Sequence, residues 1–477
     1  MLQSVHIRYG RPLMVTVVLV ALGLIALTGA PTVSASSNSF VTRSGTQLLL
    51  DRQPYRFTGL NIYHANSDGW CSYPWGSGDE LDTALSEIGP GKRVFRAWFF
   101  QPLATTNGIR DWSAFDHTLA VAAAHGVRVI ATLTDQWGEC GASTGETSYY
   151  KTASWYTAGY TQVDAGMLAS YRDWVAEVVA RYKDDPTVMA WQLINEAEVK
   201  TVVGPACAPS AHEILKSWAT DVSGLVKSID ANHLVSLGTI GSGQCGASGS
   251  DYKTLHDVPS IDLCEYHDYN SPTVPMPGDI YNGLQLRIDQ CNALNKPIFV
   301  GEMGIIPAAV GGTLQGRANA FQAKLDAQFA ADVRGILAWA WVSTDAYVIG
   351  PGDPVLDVLN YFYDFTGFFQ PVDNPPTLNS AKAGSAIPVK FSLAGNQGLS
   401  VFAAGYPALG QQACETGAPV DAIEQTATAG SSGLSYDAAT DTYTYVWKTS
   451  KSWAGTCRQL VVRFIDGSEY VATFKFT

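Results

Sequence analysis

The feature that most constrains the fold is an eightfold alternation of short apolar runs with helical patterns between residues 40 and 369. Each run is rich in β-branched and aromatic residues and has the length of a buried strand. The helical segments between the runs supply the crossovers that parallel strands need. The eight predicted strands are 55–63, 93–99, 127–133, 188–194, 233–239, 261–266, 297–302 and 335–342.

Two of the segments between these runs have clear helical spacing. Apolar side chains recur at every third or fourth position of residues 166–182, which predicts a helix. Ser113 is expected to cap a second helix that ends before Gly126. The pattern favours an α/β fold, a closed (β/α)8 TIM barrel. A doubly wound open sheet is the alternative, but no GxGxxG motif follows the first strand.

The sequence changes character after residue 370. Prolines between 371 and 378 predict a linker, and residues 379–477 alternate apolar and polar side chains as strands do. An Asp466-Gly467 turn between two such runs predicts a hairpin. We therefore expect a barrel domain over 38–370 and a smaller C-terminal β-sandwich domain over 379–477.

The first 35 residues have the pattern of an export signal. A basic start precedes an apolar run from Leu13 to Leu27, and small residues lead to Ala35. This predicts a signal peptide at 1–35 and a secreted, extracellular protein. An uncleaved membrane anchor is the alternative, although the run is shorter than the ~20 residues of a typical span. A membrane would then be contacted only through this segment.

If the protein is exported, its eight cysteines are expected to form disulfides, because disulfides persist outside the cell. The cysteine spacing does not match a zinc site. Nearest-neighbour pairing is best supported for Cys414 with Cys457, which share the C-terminal segment. For the other six cysteines fifteen connectivities stay open. Nearest-neighbour pairing there would join Cys71 to Cys140, Cys207 to Cys245, and Cys264 to Cys291.

The charge of the chain argues against one class of partner. Thirty Lys and Arg stand against 43 Asp and Glu, a net charge of −13, so electrostatic attraction to nucleic acid is not expected. HExxH and Walker motifs do not occur, and the eight histidines are scattered. We expect no cofactor, no catalytic metal and a monomer.

Two of the apolar runs end in glutamate, which packing does not explain. Glu196 follows the fourth run and Glu302 ends the seventh. Barrel active sites lie at the C-terminal ends of the strands, and strands four and seven lie on opposite sides of the ring. Two facing carboxyls are what cleavage of a glycosidic bond requires. Taken singly, either glutamate could instead cap a helix or pair with a surface lysine.

Five short motifs in strand order carry a family resemblance. The sequence from 40 to 369 resembles glycoside hydrolase family 5 and the wider clan A of retaining barrel glycosidases. The motifs are Phe95-Arg96-Ala97-Trp98, Asn195-Glu196, His267-Asp268-Tyr269, Gly301-Glu302 and Trp339-Ala340-Trp341.

The resemblance implies a role for each matching residue. Glu196 would be the general acid/base, and Glu302 the nucleophile, kept ionised by Arg96 and Tyr269. Glu196 would then need a less compensated, partly desolvated setting to hold its proton. The supporting roles would be as follows: Asn195 binds the sugar 2-hydroxyl, His267 contacts substrate or orients a carboxyl, Trp341 stacks beneath the sugar, and Trp137 with Asp135, Tyr63 and His64 lines further subsites.

The C-terminal segment carries a second resemblance. Residues 383–391, which contain Pro388-Val389-Lys390-Phe391, and residues 453–458 resemble the bacterial extracellular module named for its PxKF motif. The resemblance implies an accessory β-sandwich that acts as a spacer or binds carbohydrate or a cell surface.

Together these features predict a secreted retaining β-glycoside hydrolase acting on a β-1,4-linked polysaccharide. Mannan is favoured slightly over cellulose, because residues 95–99 and 135–137 look more like the mannanase branch. Two alternatives stay open: an exo-acting β-glycosidase of the same clan, and a non-catalytic carbohydrate-binding surface protein built on the same barrel.

Overall fold

The central feature of the fold is one sheet of eight parallel strands. A computed structural model describes residues 39–67, 78–89, 93–140, 150–202, 204, 206–415, 420–422 and 433–477. The predicted signal peptide and Cys71 lie outside the described residues. The strands, numbered along the chain, are β1 (Phe57–Asn61), β2 (Arg93–Trp98), β3 (Arg128–Thr132), β4 (Val188–Gln192), β5 (Leu234–Ser236), β6 (Cys264–Asp268), β7 (Ile298–Met303) and β8 (Gly335–Ala338).

The sheet closes into a barrel. Its strand order is β5-β4-β3-β2-β1-β8-β7-β6. The two ends meet where Asp262 and Leu263 donate backbone hydrogen bonds to the carbonyl of Val235, and a parallel bridge joins Ser236 to Leu263. The predicted TIM barrel is therefore confirmed. Each of the eight predicted runs overlaps an observed strand, but β6 extends two residues past its run, to Asp268, and β7 one residue past its run, to Met303.

The helices connect consecutive strands, as the periodicity predicts, but two N-termini differ from expectation. The helix predicted from residue 166 begins at Tyr171, because Ser170 accepts a hydrogen bond from the Asp173 amide and caps it. Ser113 is the first helical residue rather than a cap, and its amide donates to Asp111. The helices are α1 (Gly78–Ile88), α2 (Ser113–Ala124), α3 (Ala153–Thr157), α4 (Tyr171–Tyr182), α5 (Ala211–Ile229), α6 (Asp251–His256), α7 (Leu284–Ala293), α8 (Leu314–Ala330) and α9 (Pro354–Leu359).

A small antiparallel sheet covers the N-terminal end of the barrel. Its strands are Thr42–Ser44, Gln47–Leu50 and Gln53–Tyr55, directly before β1. Leu48 and Tyr55 pack in one buried cluster with apolar side chains of the barrel strands, among them Phe57 and Phe299. This end is therefore filled, and the C-terminal ends of the strands form the mouth.

Two further sheets follow the barrel and enclose a second apolar core, as the predicted fold class requires. The predicted hairpin is present: Cys457–Arg463 pairs antiparallel with Glu469–Phe476 across the Asp466-Gly467 turn. In sheet order, one sheet contains Phe368–Phe369, Ala386–Phe391, Thr442–Lys448 and Leu434–Asp437, and the other contains Ala408–Gln412, Cys457–Arg463, Glu469–Phe476, Leu378–Ala381 and Val420–Ala422.

The segment between the barrel and these sheets packs into the second core. Phe368 and Val372 are buried there beside Phe391. The sandwich also touches the N-terminal end of the barrel, because the Gln53 side-chain amide exchanges two hydrogen bonds, of 3.0 and 2.9 Å, with the backbone of Val471.

Three disulfides lie within the described residues. They join Cys207 to Cys245, Cys264 to Cys291 and Cys414 to Cys457, which confirms three of the nearest-neighbour pairs. The pairing of Cys140 with Cys71 stays a prediction. Among the helices of the described residues, none has the length and apolar character needed to cross a membrane.

Candidate active site

Glu196 and Glu302 meet at the mouth of the barrel. One carboxylate oxygen of each, together with a ring nitrogen of His267, lies within 4.8 Å of the others. Two local backbone features aim the glutamates. The pairing of β6 with β7 skips Gly301, so that this residue forms a bulge directly before Glu302. Glu196 has a φ of 57°, in the left-handed region that costs a non-glycine residue free energy.

Glu302 is buried between two donors. Arg96 Nη1 lies 2.9 Å from its Oε1, and the hydroxyl of Tyr269 donates to its Oε2 at 2.6 Å. Gly304 leaves room for the Tyr269 ring, since a Cβ there would lie 2.3 Å from a ring carbon. The predicted pairing of Glu302 with Arg96 and Tyr269 is therefore present in the structure.

Glu196 also has two donors. His267 Nδ1 lies 2.8 Å from its Oε1, and Trp137 Nε1 donates to its Oε2 at 2.7 Å. The expectation of a less compensated carboxyl is wrong for the ligand-free site. Both donors were predicted as site residues, but their pairing with Glu196 was not, because Trp137 and His267 belong to different strand ends and approach Glu196 only through the barrel geometry.

The pKa directions follow from these contacts. Burial raises the pKa of Glu302, although the charges of His267 and Arg96 oppose it. Burial also acts on Glu196, but there the hydrogen bond and charge of His267 outweigh it and hold the pKa below its ordinary value. Burial alone would lower the pKa of His267. The facing carboxylates of Glu302, Glu196 and Glu265 instead raise it to about 10.

His267 and Tyr269 come from the end of β6, where residues two apart face the same side. Each supplies a donor to one of the paired glutamates. Asp268, between them, points away from the site and both of its oxygens accept from Lys324 Nζ of α8. The predicted His267-Asp268-Tyr269 motif therefore combines two site residues with one anchor to the helix layer.

Arg96 links the two strand ends that carry the glutamates. Besides Glu302, its guanidinium donates to Asn195 Oδ1 at 2.6 Å and Gln192 Oε1 at 2.7 Å. Asn195 in turn donates to Asp135 at 2.8 Å. The oxygen and the nitrogen of the Asn195 amide each keep one further hydrogen-bonding position, so its predicted contact with a sugar hydroxyl stays a prediction.

One predicted site residue is not in the mouth. Trp341 is 1% exposed and its ring packs in the barrel core, so the predicted stacking beneath a sugar is wrong. Trp339, just past the end of β8, is half-buried instead. Its ring stacks on Tyr63 at 5.3 Å with an interplanar angle of 11°, and its Nε1 donates to Asp345.

Three further residues that the sequence places near the mouth are Tyr63, His64 and Glu198. Tyr63 is half-buried against Trp339, whereas His64 is buried and binds the carbonyl of Trp341. Glu198, the other acid after β4, is paired with Lys200 and the hydroxyl of Tyr150. These partners separate Glu198 from the paired glutamates.

Sequence reasoning missed a buried layer beneath the site. Asn61 Oδ1 accepts from Arg96, and Gln192 and Glu265 hydrogen-bond each other at 2.5 Å. Glu265 lies two residues before His267 on β6, on the same face. A period-2 inspection of that strand would have found it, because acids are rare in buried strands.

The three side chains at the mouth have the atom types of metal ligands, but their protonation does not suit a metal ion. Glu196, His267 and Glu302 present suitable atom types within 4.8 Å. A protonated imidazole, however, has no lone pair to donate, and the neighbouring carboxylates favour that protonated form. The charge state of the cluster is therefore poorly suited to a metal.

Comparisons with known proteins match part of the chain to one family model and to curated relatives. Residues 115–271 match the family model described as GH family 5 beta-mannosidase-like. Mannan endo-1,4-beta-mannosidase A of Hypocrea jecorina is 29% identical over 303 residues, which cover 56% of this chain and 64% of that protein. Probable mannan endo-1,4-beta-mannosidase A of Aspergillus oryzae is 28% identical over 307 residues, covering 58% and 74%.

One solved structure supports the fold. The endo-1,4-beta-mannanase of Rhizomucor miehei superposes with a TM-score of 0.52 at 20% identity, covering 68% of this chain and 98% of that one. The chain thus spans less than two thirds of the length of the Hypocrea relative and nearly all of the Rhizomucor barrel. The family model and the two curated relatives make the chain similar to glycoside hydrolase family 5, and the solved structure supports the fold alone.

Proposed function

We propose that the chain is a retaining β-glycoside hydrolase of family 5 that cleaves β-1,4-mannan. The observation that carries the proposal is the approach of Glu196 and Glu302, with carboxylate oxygens within 4.8 Å. Retaining enzymes hold their two carboxyls about 5 to 5.5 Å apart, whereas inverting enzymes need roughly 6.5 to 9.5 Å to admit water between them. The mannanase relatives favour mannan over cellulose as substrate.

In the proposed reaction Glu302 attacks the anomeric carbon while Glu196 protonates the oxygen of the leaving sugar. The glycosidic bond breaks and a glycosyl ester forms on Glu302. Glu196, now ionised, takes a proton from water as the water attacks the ester, which frees Glu302 and restores the proton on Glu196. Two inversions at the anomeric carbon give net retention.

The balance of the two pKa values runs against these roles, since the pKa of Glu302 is raised and that of Glu196 lowered. We propose that substrate corrects it. Positive charge developing at the anomeric carbon favours ionised Glu302, and the glycosidic oxygen accepts a hydrogen bond that only protonated Glu196 can donate. Trp339, rather than the buried Trp341, takes the place of the aromatic platform.

The disulfides support a place of action outside the cell. Disulfides persist in oxidising compartments, and the described residues contain three. We propose export through the segment at 1–35. The C-terminal sandwich keeps its proposed role as a PxKF-type accessory module.

The test combines two variants with product analysis. Purified wild-type protein is expected to release reducing sugar from galactomannan and glucomannan faster than from carboxymethylcellulose. Glu302→Ala is expected to abolish release while mannohexaose still binds, and Glu196→Gln to lower kcat by about 10² to 10⁴. Proton NMR of the first product is expected to show the β-anomer. Undiminished release by both variants, or an α-anomer, would contradict the proposal.

A further inference from the structure

Glu265 is a buried carboxylate directly beneath the proposed catalytic pair. It is 0% exposed, on β6. Its Oε2 accepts from Ser236 Oγ at 2.7 Å, and its Oε1 accepts from Gln192 Nε2 at 2.5 Å. The same Oε1 faces His267 Nε2 at 3.2 Å. Glu265 therefore reaches the proposed catalytic pair through His267.

The space for this carboxylate is provided by a glycine on the neighbouring strand. A Cβ on Gly301 would lie 2.0 Å from Glu265 Oε1 and 3.1 Å from His267 Nε2. Any other residue at 301 would displace the contact between Glu265 and His267. The glycine next to Glu302 is thus required by Glu265, in addition to forming the bulge.

The two ring nitrogens of His267 both face carboxylate oxygens. Nδ1 lies 2.8 Å from Glu196, and Nε2 lies 3.2 Å from Glu265. Ionised carboxylates only accept hydrogen bonds, and a neutral imidazole can donate from one nitrogen alone. Both contacts are hydrogen bonds only when the ring is an imidazolium.

The other groups near His267 do not offset this preference. Glu302 Oε2 lies 3.5 Å from Nδ1, so a third carboxylate adds its charge. Arg96, which reaches the site from β2, is the other cation and is already bound to Glu302. The Tyr269 hydroxyl donates to the same glutamate. The three carboxylates that face His267 in the described site thus share two cations.

We infer that Glu265 is a positioning residue that keeps both nitrogens of His267 protonated, so that the proton of Glu196 can be donated only towards the substrate. An imidazolium has no acceptor, and protonated Glu196 therefore cannot give its proton to His267. With a neutral ring, Nδ1 could accept that proton and draw it away from the leaving-group oxygen. The kinetic part of this inference rests on the proposed function.

The kinetic test uses Glu265→Gln and two substrates that differ in their need for an acid. The sugar alkoxide released from a mannooligosaccharide is a poor leaving group that needs protonation. The 2,4-dinitrophenolate ion is a good leaving group and departs without protonation. We expect kcat/KM to fall about 10- to 100-fold on mannohexaose and less than about threefold on 2,4-dinitrophenyl β-mannobioside. Equal losses on both substrates would indicate a merely structural role and overturn the inference.

Ser236→Ala is the matched control. It removes a hydrogen bond from the other oxygen of Glu265 and leaves the contact with His267. We expect Ser236→Ala to change kcat/KM by the same factor on the two substrates. A selective loss on mannohexaose in this control as well would show that packing beneath the site, rather than the charge of Glu265, causes the effect.

The second test does not depend on catalysis. Nitrogen-15 NMR follows the ring of His267, whose signals are identified by their loss in His267→Gln. In the wild-type protein we expect both nitrogens to remain protonated to above about pH 9, and in Glu265→Gln one to deprotonate at least one pH unit lower. An unchanged titration would overturn the inference even if the protein hydrolysed no glycoside.

Glu265→Asp covers the case in which Glu265→Gln does not fold. It keeps the charge but withdraws the carboxylate from Nε2 by one methylene. We expect a selective loss of kcat/KM on mannohexaose, as for Glu265→Gln, but by a smaller factor. Equal loss on both substrates, or a His267 titration like that of the wild-type protein, would again contradict the role of Glu265.

Discussion

Lys324 Nζ lies 2.9 and 2.8 Å from the two carboxylate oxygens of Asp268, and both side chains are 0% exposed. This ion pair joins α8 to the end of β6, between the two residues that donate to the proposed catalytic pair. Gln328, one turn further along α8, donates to the same carboxylate. The position of the β6 end is therefore fixed from the helix layer.

Breaking this pair is expected to be costly. Lys324→Met leaves Asp268 buried without its cation and should lower the free energy of unfolding by about 3 to 5 kcal/mol. The double variant Lys324→Met with Asp268→Asn should recover part of that loss, because no unpaired charge remains. Urea unfolding of the three proteins measures this. A double variant less stable than Lys324→Met would contradict the assignment.

The two tryptophans after β8 are expected to respond differently. Trp339→Ala should lower kcat/KM on mannohexaose about tenfold with little change in stability, because a half-buried ring at the mouth is lost. Trp341→Ala should lower the free energy of unfolding by about 3 to 5 kcal/mol, because it opens a cavity. Kinetics and urea unfolding of both variants separate the roles, and a reversed pattern would restore Trp341 as the platform.

The raised pKa of His267 makes stability depend on pH. Its folded-state value of about 10 exceeds the ordinary 6.5, so its stabilisation is complete below pH 6.5 and is lost as the pH rises towards 10. The urea midpoint of the wild-type protein should therefore fall between those pH values by more than that of His267→Gln. Parallel pH profiles for the two proteins would exclude this linkage.

The disulfide between Cys264 and Cys291 fixes the start of β6 to α7. It closes 27 residues of sequence. Replacing both cysteines by alanine should lower the free energy of unfolding by about 3 to 4 kcal/mol. The same replacement at Cys414 and Cys457 serves as a control outside the barrel, since it should weaken the sandwich and leave mannohexaose hydrolysis unchanged. Hydrolysis lost in the control would show that the sandwich supports the site.

The barrel could be predicted because its strands are buried on both faces and read as apolar runs. Glu196 after the fourth run and Glu302 at the end of the seventh stood out because each places a charge where an apolar run stops. Arg96, His267 and Tyr269 were predicted from the resemblance to glycoside hydrolase family 5, and the structure brings them together. Three disulfides followed from simple proximity in sequence.

The rest of the site depends on neighbours that the sequence does not specify. Trp339 and Trp341 share strand parity, but β8 ends at Ala338, so parity cannot decide which ring faces the mouth. The pKa balance between Glu196 and Glu302 is set by donors from β6 and from the segment after β3. Glu265 could have been found by its period-2 spacing from His267, but its partners Gln192 and Ser236 come from other strands and could not.

The hydrogen bonds between Gln53 and Val471 hold the sandwich against the closed end of the barrel. A solid surface attached to the sandwich therefore lies towards the closed end of the barrel, away from the mouth. Protein coupled to a solid support through the exposed Lys475 should accordingly digest soluble galactomannan as fast as free protein does. Slower digestion in the coupled form would mean that the tether blocks entry of the polymer.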